Sequence, residues 1–259
     1  MASEKAGKHL LGAGAEKWAV DEGHVDMTAG GGAVRPFRLR AQPQSITFDA
    51  ARCALVVVDM QRDFAAAGGW VDRNGVDFRP LRAPIEPLTK LLPAMRAARV
   101  PIVWLDWGNR PDQMNLPPNQ LHIFNRTGLG PGIGDELAVG AHVLEQGSPS
   151  AEVVTELVQE PQDIRVDKYR ISGFWGTPLD DILRNLGTRT VFFAGVCTDQ
   201  CVLATLQDAS FLGYGCVLLA DCCATIMPEF CARAALLNIE ACFGFVTNST
   251  AMIEALNAS

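Results

Sequence analysis

Two cysteines four residues apart, Cys197 and Cys201, are the first candidates for chemistry in this chain. They lie in the stretch AGVCTDQCVLATLQDA, where an apolar strand-like run enters a short turn and a helical pattern begins at or near Cys201. A thiol at a helix N-terminus feels the positive end of the helix dipole, which lowers its pKa. Free backbone N–H groups in the same turn are suited to holding a developing oxyanion. The position therefore favours Cys201 as a nucleophile, and two structural thiols are the alternative.

A thiol nucleophile needs a proton acceptor, and histidine is the usual one. No histidine ends a strand-like run; the four in the chain are His9, His24, His122 and His142. Asp59 follows the run LVVV, and burial at such a strand end raises the pKa of a carboxyl group. Such a carboxylate can take the thiol proton and return it to a leaving amine. Lys168, at the end of IRVD, would stabilise the carboxylate and a thiolate; the alternatives are a helix cap for Asp59 and a surface charge for Lys168.

Strand-like and helical patterns alternate about six times after the first 50 residues. The pattern predicts strands at residues 53–59, 100–107, 163–168, 189–196, 215–221 and 241–247. It predicts helices at residues 85–100, 151–158, 178–187, 201–213 and 228–239. Most strand runs are apolar throughout, which is typical of a parallel sheet covered on both faces. We therefore predict an α/β fold: a single Rossmann-like domain whose six-stranded parallel sheet is flanked by helices on both faces, with its ligand crevice at the carboxyl ends of the strands.

Charge and hydropathy narrow the class of partner. The net charge of −7 over 259 residues argues against a nucleic-acid partner, and the absence of a polybasic run argues against a membrane surface. No apolar stretch approaches the ~20 residues of a membrane helix, and the N-terminus does not resemble a secretory signal. A cytoplasmic location is therefore expected, where the eight cysteines would stay reduced.

Three separated segments carry a resemblance to a known family. VVVDMQRDF, DKYRISGFWGTPLDDIL and GVCTDQCV resemble, in this order, the signature segments of the isochorismatase-like cysteine hydrolases. The resemblance runs from about Ser45 to Leu256. It implies an Asp–Lys–Cys triad of Asp59, Lys168 and Cys201, an oxyanion hole made of the backbone N–H groups of Cys197 and Cys201, and a cis peptide bond between Val196 and Cys197.

The resemblance also implies the division of the chain and its activity. Residues 46–259 are expected to form the hydrolase domain. Residues 1–45, rich in glycine, alanine and charge, are expected to form an arm that is flexible or wraps a neighbouring subunit. The implied enzyme is an amidohydrolase that cleaves a C–N bond of a small ureide through a thioester and releases ammonia, in a homodimer or homotetramer. The resemblance implies no cofactor.

Two subgroups compete for the substrate. The segments APIEPL, GNRPDQMNLPPNQ and GIGD resemble biuret hydrolases, which favours a biuret- or triuret-like substrate. The segments GFWGTPLDDILRNLG and LLNIEACFGFV resemble ureidoacrylate amidohydrolases, so a ureidoacrylate or N-carbamoyl amidohydrolase is the alternative. A pocket glutamine of the biuret group is replaced here by Ile239. Related nicotinamidases bind a metal through an aspartate and two histidines; Asp106 is present, but no histidine follows before His122, so no metal site is predicted.

The pocket should be lined by residues near the predicted strand ends. The candidate substrate-binding residues are Phe64, Trp107, Asn109, Arg110 and Trp175. Phe64 and the tryptophans have core packing as their alternative. A non-catalytic zinc- or thiol-binding protein is the competing class, with Cys197, Cys201, Cys222 and Cys223 as ligands, although C-x3-C followed by adjacent cysteines is an unusual ligand spacing.

Overall fold

A computed structural model describes residues 8–13, 17–30 and 35–258 of the chain. The strands, in chain order, are β1 (His9–Leu11), β2 (Trp18–Val20), β3 (His24–Asp26), β4 (Pro36–Leu39), β5 (Ser45–Asp49), β6 (Cys53–Val58), β7 (Ile102–Trp107), β8 (Glu136–Ala138), β9 (Ala141–His142), β10 (Ile164–Lys168), β11 (Thr190–Val196), β12 (Gly215–Ala224) and β13 (Phe245–Thr247). The α-helices are α1 (Arg62–Ala65), α2 (Trp70–Arg73), α3 (Ile85–Ala97), α4 (Pro118–Phe124), α5 (Leu179–Asn185), α6 (Leu203–Phe211), α7 (Glu229–Asn238) and α8 (Ser249–Asn257). Short 3₁₀ turns cover Ala50–Arg52 and Arg79–Arg82, and π-helical turns cover Thr198–Val202 and Ile239–Phe243.

The main sheet has six strands in the order β10-β7-β6-β11-β12-β13, and every pair in it is parallel. The predicted α/β fold with a six-stranded parallel sheet is therefore confirmed. All residues of β6 and β11 are buried because these central strands are covered on both faces. One core layer contains side chains of α3 and α8, and the opposite layer contains side chains of α5 and α6.

Helix α3 shows how the sequence pattern produces this packing. Leu88, Leu91, Leu92 and Met95 recur at helical spacing and are all buried against the sheet, as predicted. Helix α5 ends at Asn185 and is closed, as predicted, by Gly187, which follows the C-cap Leu186 and has a φ of +67°.

Two predicted elements differ from the structure. Residues 151–158 were predicted as a helix, but the main chain there pairs with the segment after β6 instead. The N–H of Val154 donates to the carbonyl of Met60 at 2.9 Å, and Val153 forms a bridge with Gln61. A helix would have to give up these long-range bonds, and β-branched valines favour the extended form. The predicted strand at residues 241–247 shrinks to β13, because a π-helical turn occupies its first part.

The N-terminal residues that the structure describes form a second, smaller sheet in the order β1-β2-β3-β5-β4. Phe37 and Leu39 of β4 and Ile46 and Phe48 of β5 are buried in the core layer that also contains α3. Residues 1–7, 14–16 and 31–34 of the predicted arm lie outside the described residues. The division at residue 45 and a contact of the arm with a neighbouring subunit stay predictions.

The helices in the described ranges are too short or too polar to cross a membrane.

Candidate active site

Three side chains from separate segments meet at the carboxyl edge of the main sheet. Asp59 follows β6, Lys168 ends β10, and Cys201 lies in the π-helical turn after β11. Nζ of Lys168 lies 2.8 Å from Oδ2 of Asp59 and 3.4 Å from Sγ of Cys201. All three side chains are buried. The structure thus brings the predicted triad together, and the catalytic roles stay predictions.

Lys168 reaches its partners by crossing the end of a neighbouring strand. Strand β7 lies between β10 and β6, and its last residue, Trp107, pairs in register with Lys168. Nζ of Lys168 lies 4.3 Å from the centre of the Trp107 ring and also donates to the carbonyl of Arg170 at 3.3 Å. A cation over an aromatic face is stabilised, more so away from water. Trp107 therefore supports the ammonium group between the two reactive side chains.

The main chain at Asp59 has an unusual conformation. Asp59 has a φ of +50°, in the left-handed region that few residues other than glycine adopt. The neighbouring strand comes very close here, because a Cβ on Gly195 would lie 2.0 Å from the carbonyl oxygen of Val58. Only glycine fits at position 195, where φ is +113°. The close approach of β11 and β6 places the turn with Cys201 beside Asp59.

Burial and neighbouring charges act in opposite directions on the pKa values of Asp59 and Lys168. Burial raises the pKa of Asp59, although the charge of Lys168 opposes this effect. Burial alone would lower the pKa of Lys168, but the nearby Asp59 carboxylate and Cys201 sulfur outweigh it, and the pKa is raised. Lys168 is therefore a permanent ammonium group in this site at neutral pH.

The pKa of Cys201 moves in the opposite direction to the sequence-based prediction. A helix dipole was expected to lower it, but burial raises it well above its usual value, with Lys168 only partly opposing this effect. The reason is that Cys201 does not sit at an exposed helix start: it lies inside the turn Thr198–Val202 and is 6% exposed. The resting thiol is therefore protonated, and a thiolate can form only if a neighbouring group accepts its proton.

Cys197 has a different environment from Cys201. The peptide bond between Val196 and Cys197 is cis, which confirms that expectation. Burial raises the pKa of the Cys197 thiol to about 12, and its side chain packs in the core layer opposite to that of Cys201. Its carbonyl accepts from the N–H groups of Gln200 and Val202 at 3.1 and 3.2 Å. The use of the N–H groups of Cys197 and Cys201 as oxyanion donors stays a prediction.

An aromatic cluster covers the site beside Lys168. Trp107 packs edge-on against Phe124, Phe124 against Trp70, and Trp70 against Phe64, with centroid separations of 5.6, 5.7 and 6.0 Å. Two predicted pocket residues, Phe64 and Trp107, belong to this cluster. Sequence reasoning missed Phe124 and Trp70, because their helices α4 and α2 are too short for a clear hydrophobic period.

The other three predicted substrate-binding residues have protein partners of their own. Asn109 is fully buried. With its side-chain amide oriented so that the nitrogen faces the carbonyls of Val143 and Leu144, it donates to both. Arg110 is exposed and forms an ion pair with Asp112. Trp175 is 67% exposed and donates its indole N–H to Asp208 at 2.8 Å. Their roles in substrate binding stay predictions.

Two positioning residues were not singled out from the sequence. The side chain of Gln61 donates to the carbonyl of Trp107 and accepts from its N–H, both at 2.8 Å. The buried hydroxyl of Thr205 donates to the carbonyl of Cys201 at 2.6 Å and accepts from the N–H of Gly173 at 3.0 Å. Gln61 lies in the first signature segment and was within reach of sequence reasoning, whereas Thr205 follows no recognisable pattern.

Asp106 was the one residue that matched the metal ligands of nicotinamidases. Burial raises its pKa well above the usual value, and the charges of Asp59 and Asp167 add to this effect. Across residues 8–13, 17–30 and 35–258, no group of three or more His, Cys, Asp or Glu side chains is arranged to hold a metal ion. All eight cysteines are free thiols.

Comparison with known proteins places these features in context. A family model described as Isochorismatase domain matches residues 53–251. A cysteine hydrolase from Pseudomonas syringae pv. phaseolicola superposes with a TM-score of 0.69 at 27% identity, covering 82% of this chain and 95% of that one. An isochorismatase family protein from Desulfovibrio vulgaris has a TM-score of 0.64 at 25% identity, covering 79% and 98%. N-carbamoylsarcosine amidase from Thermoplasma acidophilum shares the fold, with a TM-score of 0.57 at 24% identity, covering 76% and 96%.

Proposed function

The chain belongs to the isochorismatase family of hydrolases, and we propose that it is a cysteine amidohydrolase of small ureides. The observation that carries the proposal is the contact of Lys168 with both Asp59 and Cys201 in a buried site. A carboxylate, an ammonium group and a thiol held this closely form a proton acceptor, a charge support and a nucleophile. The similarity to a cysteine hydrolase and to a carbamoyl amidase supports the same chemistry.

In the first half-reaction, Asp59 takes the proton of Cys201 and the thiolate attacks the carbonyl carbon of the substrate. The N–H groups of Cys197 and Cys201 bind the oxyanion that develops. As the C–N bond breaks, Asp59 passes its proton to the departing nitrogen, which leaves as ammonia when the amine is primary. Lys168 keeps a positive charge beside both groups while the proton moves.

In the second half-reaction, water attacks the thioester. Asp59 accepts a proton from the water, the C–S bond breaks, and the thiolate of Cys201 recovers a proton through Asp59. No cofactor takes part in this scheme, because every proton and electron pair is accounted for by the triad, the substrate and water.

The proposed substrate is biuret- or triuret-like. The long segment between β7 and α4 matches the biuret-hydrolase pattern, and its helix α4 contributes Phe124 to the wall beside Lys168. A ureidoacrylate or N-carbamoyl compound is the second candidate, favoured by the shared fold with a carbamoyl amidase. We further propose that the protein is cytoplasmic, forms a homodimer or homotetramer, and binds neither nucleic acid nor membrane. Light scattering on the purified protein tests the oligomeric state.

Cysteine variants test the proposal directly. Ammonia release from a panel of ureides should be abolished in Cys201→Ser and retained in Cys197→Ser, because only the thiol of Cys201 contacts Lys168. Mass spectrometry of the quenched wild-type reaction should show the acyl group on the peptide that contains Cys201. An active Cys201→Ser variant together with an inactive Cys197→Ser variant would overturn the assignment.

A further inference from the structure

Helix α7 has apolar residues on two opposite faces. On the inner face, Ala235 and Ile239 are buried in the core layer that also contains Cys201. The opposite face, here named the outer face of α7, is open to solvent; with the π-helical turn that follows, it consists of Phe230, Ala234, Leu237 and Ala241. The solvent side of a surface helix normally carries polar or charged side chains. An outer face made of apolar residues is typical of a helix that a partner covers.

The outer face of α7 belongs to a larger exposed apolar surface. Phe230 is 64% exposed and Leu237 is 66% exposed. Just beyond α7, Phe243 packs edge-on against Phe211 of α6, with ring centroids 5.9 Å apart, and Phe211 is itself 73% exposed. Clustered exposed apolar side chains mark interaction sites. A stable interface buries about 800 Å² on each partner, more than one short helix provides, so the surface at Phe211 adds to what α7 offers.

Large and small side chains alternate along the outer face. They recur at spacings of four, three and four residues, which is the spacing of helices that pack side by side. In an antiparallel copy related by a two-fold axis at the middle of this stretch, Phe230 lies opposite Ala241 and Leu237 lies opposite Ala234. Each large side chain then meets a small one. The outer face is therefore complementary in shape to itself when two copies of α7 run antiparallel.

The charges beside the outer face match under the same axis. Arg233 and Glu240 lie along one edge of it, seven residues apart, whereas ion pairs within a helix join residues three or four apart. In the antiparallel pair, Arg233 of one copy lies two residues, or about 3 Å, from the level of Glu240 of the other copy. The axis repeats this contact, so two ion pairs border the apolar seam. A parallel pair would instead place like residues side by side.

We propose that the outer face of α7 is a two-fold interface between two copies of this chain, with the two α7 helices antiparallel. A homo-oligomer is part of the proposed function, and this inference names the surface that forms it. The shape and the charges of one face match themselves under a single axis, which selects a second copy over a different protein. Because α7 also contacts the turn Thr198–Val202, the interface lies one helix away from Cys201.

A charge placed in the seam tests the interface. Leu237→Glu should halve the mass of the assembly in sedimentation velocity and raise its dissociation constant about 100-fold or more, because the axis places two carboxylates in one apolar contact. Leu237 is exposed within one copy, so the far-UV circular dichroism should not change. Leu129→Glu, at a side chain 77% exposed between α4 and β8, is the matched control and should keep the wild-type mass. A wild type that is monomeric at every concentration, or a Leu237→Glu variant of wild-type mass, would overturn the proposal.

A charge exchange tests the antiparallel register. Arg233→Glu and Glu240→Arg should each raise the dissociation constant about tenfold, because each replaces two attractive contacts by two repulsive ones. The double variant Arg233→Glu/Glu240→Arg should return to within about threefold of the wild type, since it restores both pairs across the axis. Additive losses in the double variant would overturn the antiparallel pairing.

The interface and the proposed catalytic activity fail in different experiments. If the α7 variants dissociate but the wild type releases no ammonia from any ureide, the catalytic proposal fails and the interface stands. If the wild type releases ammonia and the α7 variants keep its mass, the interface fails and the catalytic proposal stands.

Discussion

Nζ of Lys168 lies 2.8 Å from Oδ2 of Asp59 in a site where neither side chain is more than 1% exposed. A buried ion pair of this kind is costly to break, since the remaining charge then has no partner. The same Nζ contacts Sγ of Cys201. One ammonium group therefore contacts both Asp59 and Cys201, and its charge opposes the effect of burial on the pKa of each.

Replacing Lys168 by methionine should impair the nucleophile more than the fold. We expect kcat to fall at least about 100-fold, because the thiolate loses the charge that favours it. Lys168 lowers the pKa of Cys201, so alkylation of the Cys201 peptide by iodoacetamide, followed by mass spectrometry, should have its midpoint at higher pH in the variant. The exposed Lys90, which pairs with Glu86, supplies the control Lys90→Met, which should change neither kcat nor the alkylation midpoint. A midpoint at or below that of the wild type would contradict this role.

Replacing Asp106 by asparagine should stabilise the protein at alkaline pH. Burial and the charges of Asp59 and Asp167 raise the folded-state pKa of Asp106 well above 3.8. Its contribution to stability is therefore fully present below 3.8 and is lost as the pH rises through the raised value. The variant should gain on the order of 1–3 kcal/mol at pH 8.5 and less at pH 5, measured by urea unfolding.

Asp112→Asn is the control for this pH dependence. Its exposed carboxylate pairs with Arg110, which lowers its pKa to about 2, so the substitution should give no gain at pH 8.5. A gain for Asp106→Asn that is the same at both pH values would show that ionisation of Asp106 is not the cause.

Gly195→Ala should disrupt the junction of β6 and β11. The new Cβ would meet the carbonyl oxygen of Val58 at 2.0 Å, and φ is +113°. We expect a loss of about 3 kcal/mol or more in the free energy of unfolding. Gly187 also has a positive φ but has open space around it, so Gly187→Ala should lower the free energy of unfolding by only about 1 kcal/mol. Similar losses in the two variants would mean that the close approach is not important.

Thr205→Val should remove the hydrogen-bonded link between the turn that contains Cys201 and the segment that follows Lys168. The variant keeps the shape of the side chain but removes the hydroxyl that joins the carbonyl of Cys201 to the N–H of Gly173. Urea unfolding should show a loss of about 1–3 kcal/mol, and kcat should fall about tenfold through misplacement of the reacting groups. Thr205→Ser retains the hydroxyl and should recover most of both; a Ser variant as impaired as the Val variant would point to packing alone.

The architecture, and the meeting of Asp59, Lys168 and Cys201 at one edge of the sheet, could be predicted from the sequence. Apolar runs that are buried on both faces have a simple signature, and the carboxyl ends of parallel strands meet at one edge. Asp59 and Lys168 stand at such ends, and Cys201 follows closely after a third, so their proximity followed from local patterns.

The pKa shifts in the site and its aromatic wall could not be predicted from local sequence patterns. Whether Cys201 sits at an exposed helix start or inside a buried turn depends on packing from distant segments, and this reversed the predicted direction of its pKa shift. Arg110 and Trp175 follow soon after predicted strand ends in the sequence, but their side chains bind partners at the surface. Residues 151–158 are not helical, because Val153 and Val154 pair with Gln61 and Met60 in the segment after β6. The conformation of such a segment and the burial of such a side chain depend on long-range contacts, which a local hydrophobic period does not reveal.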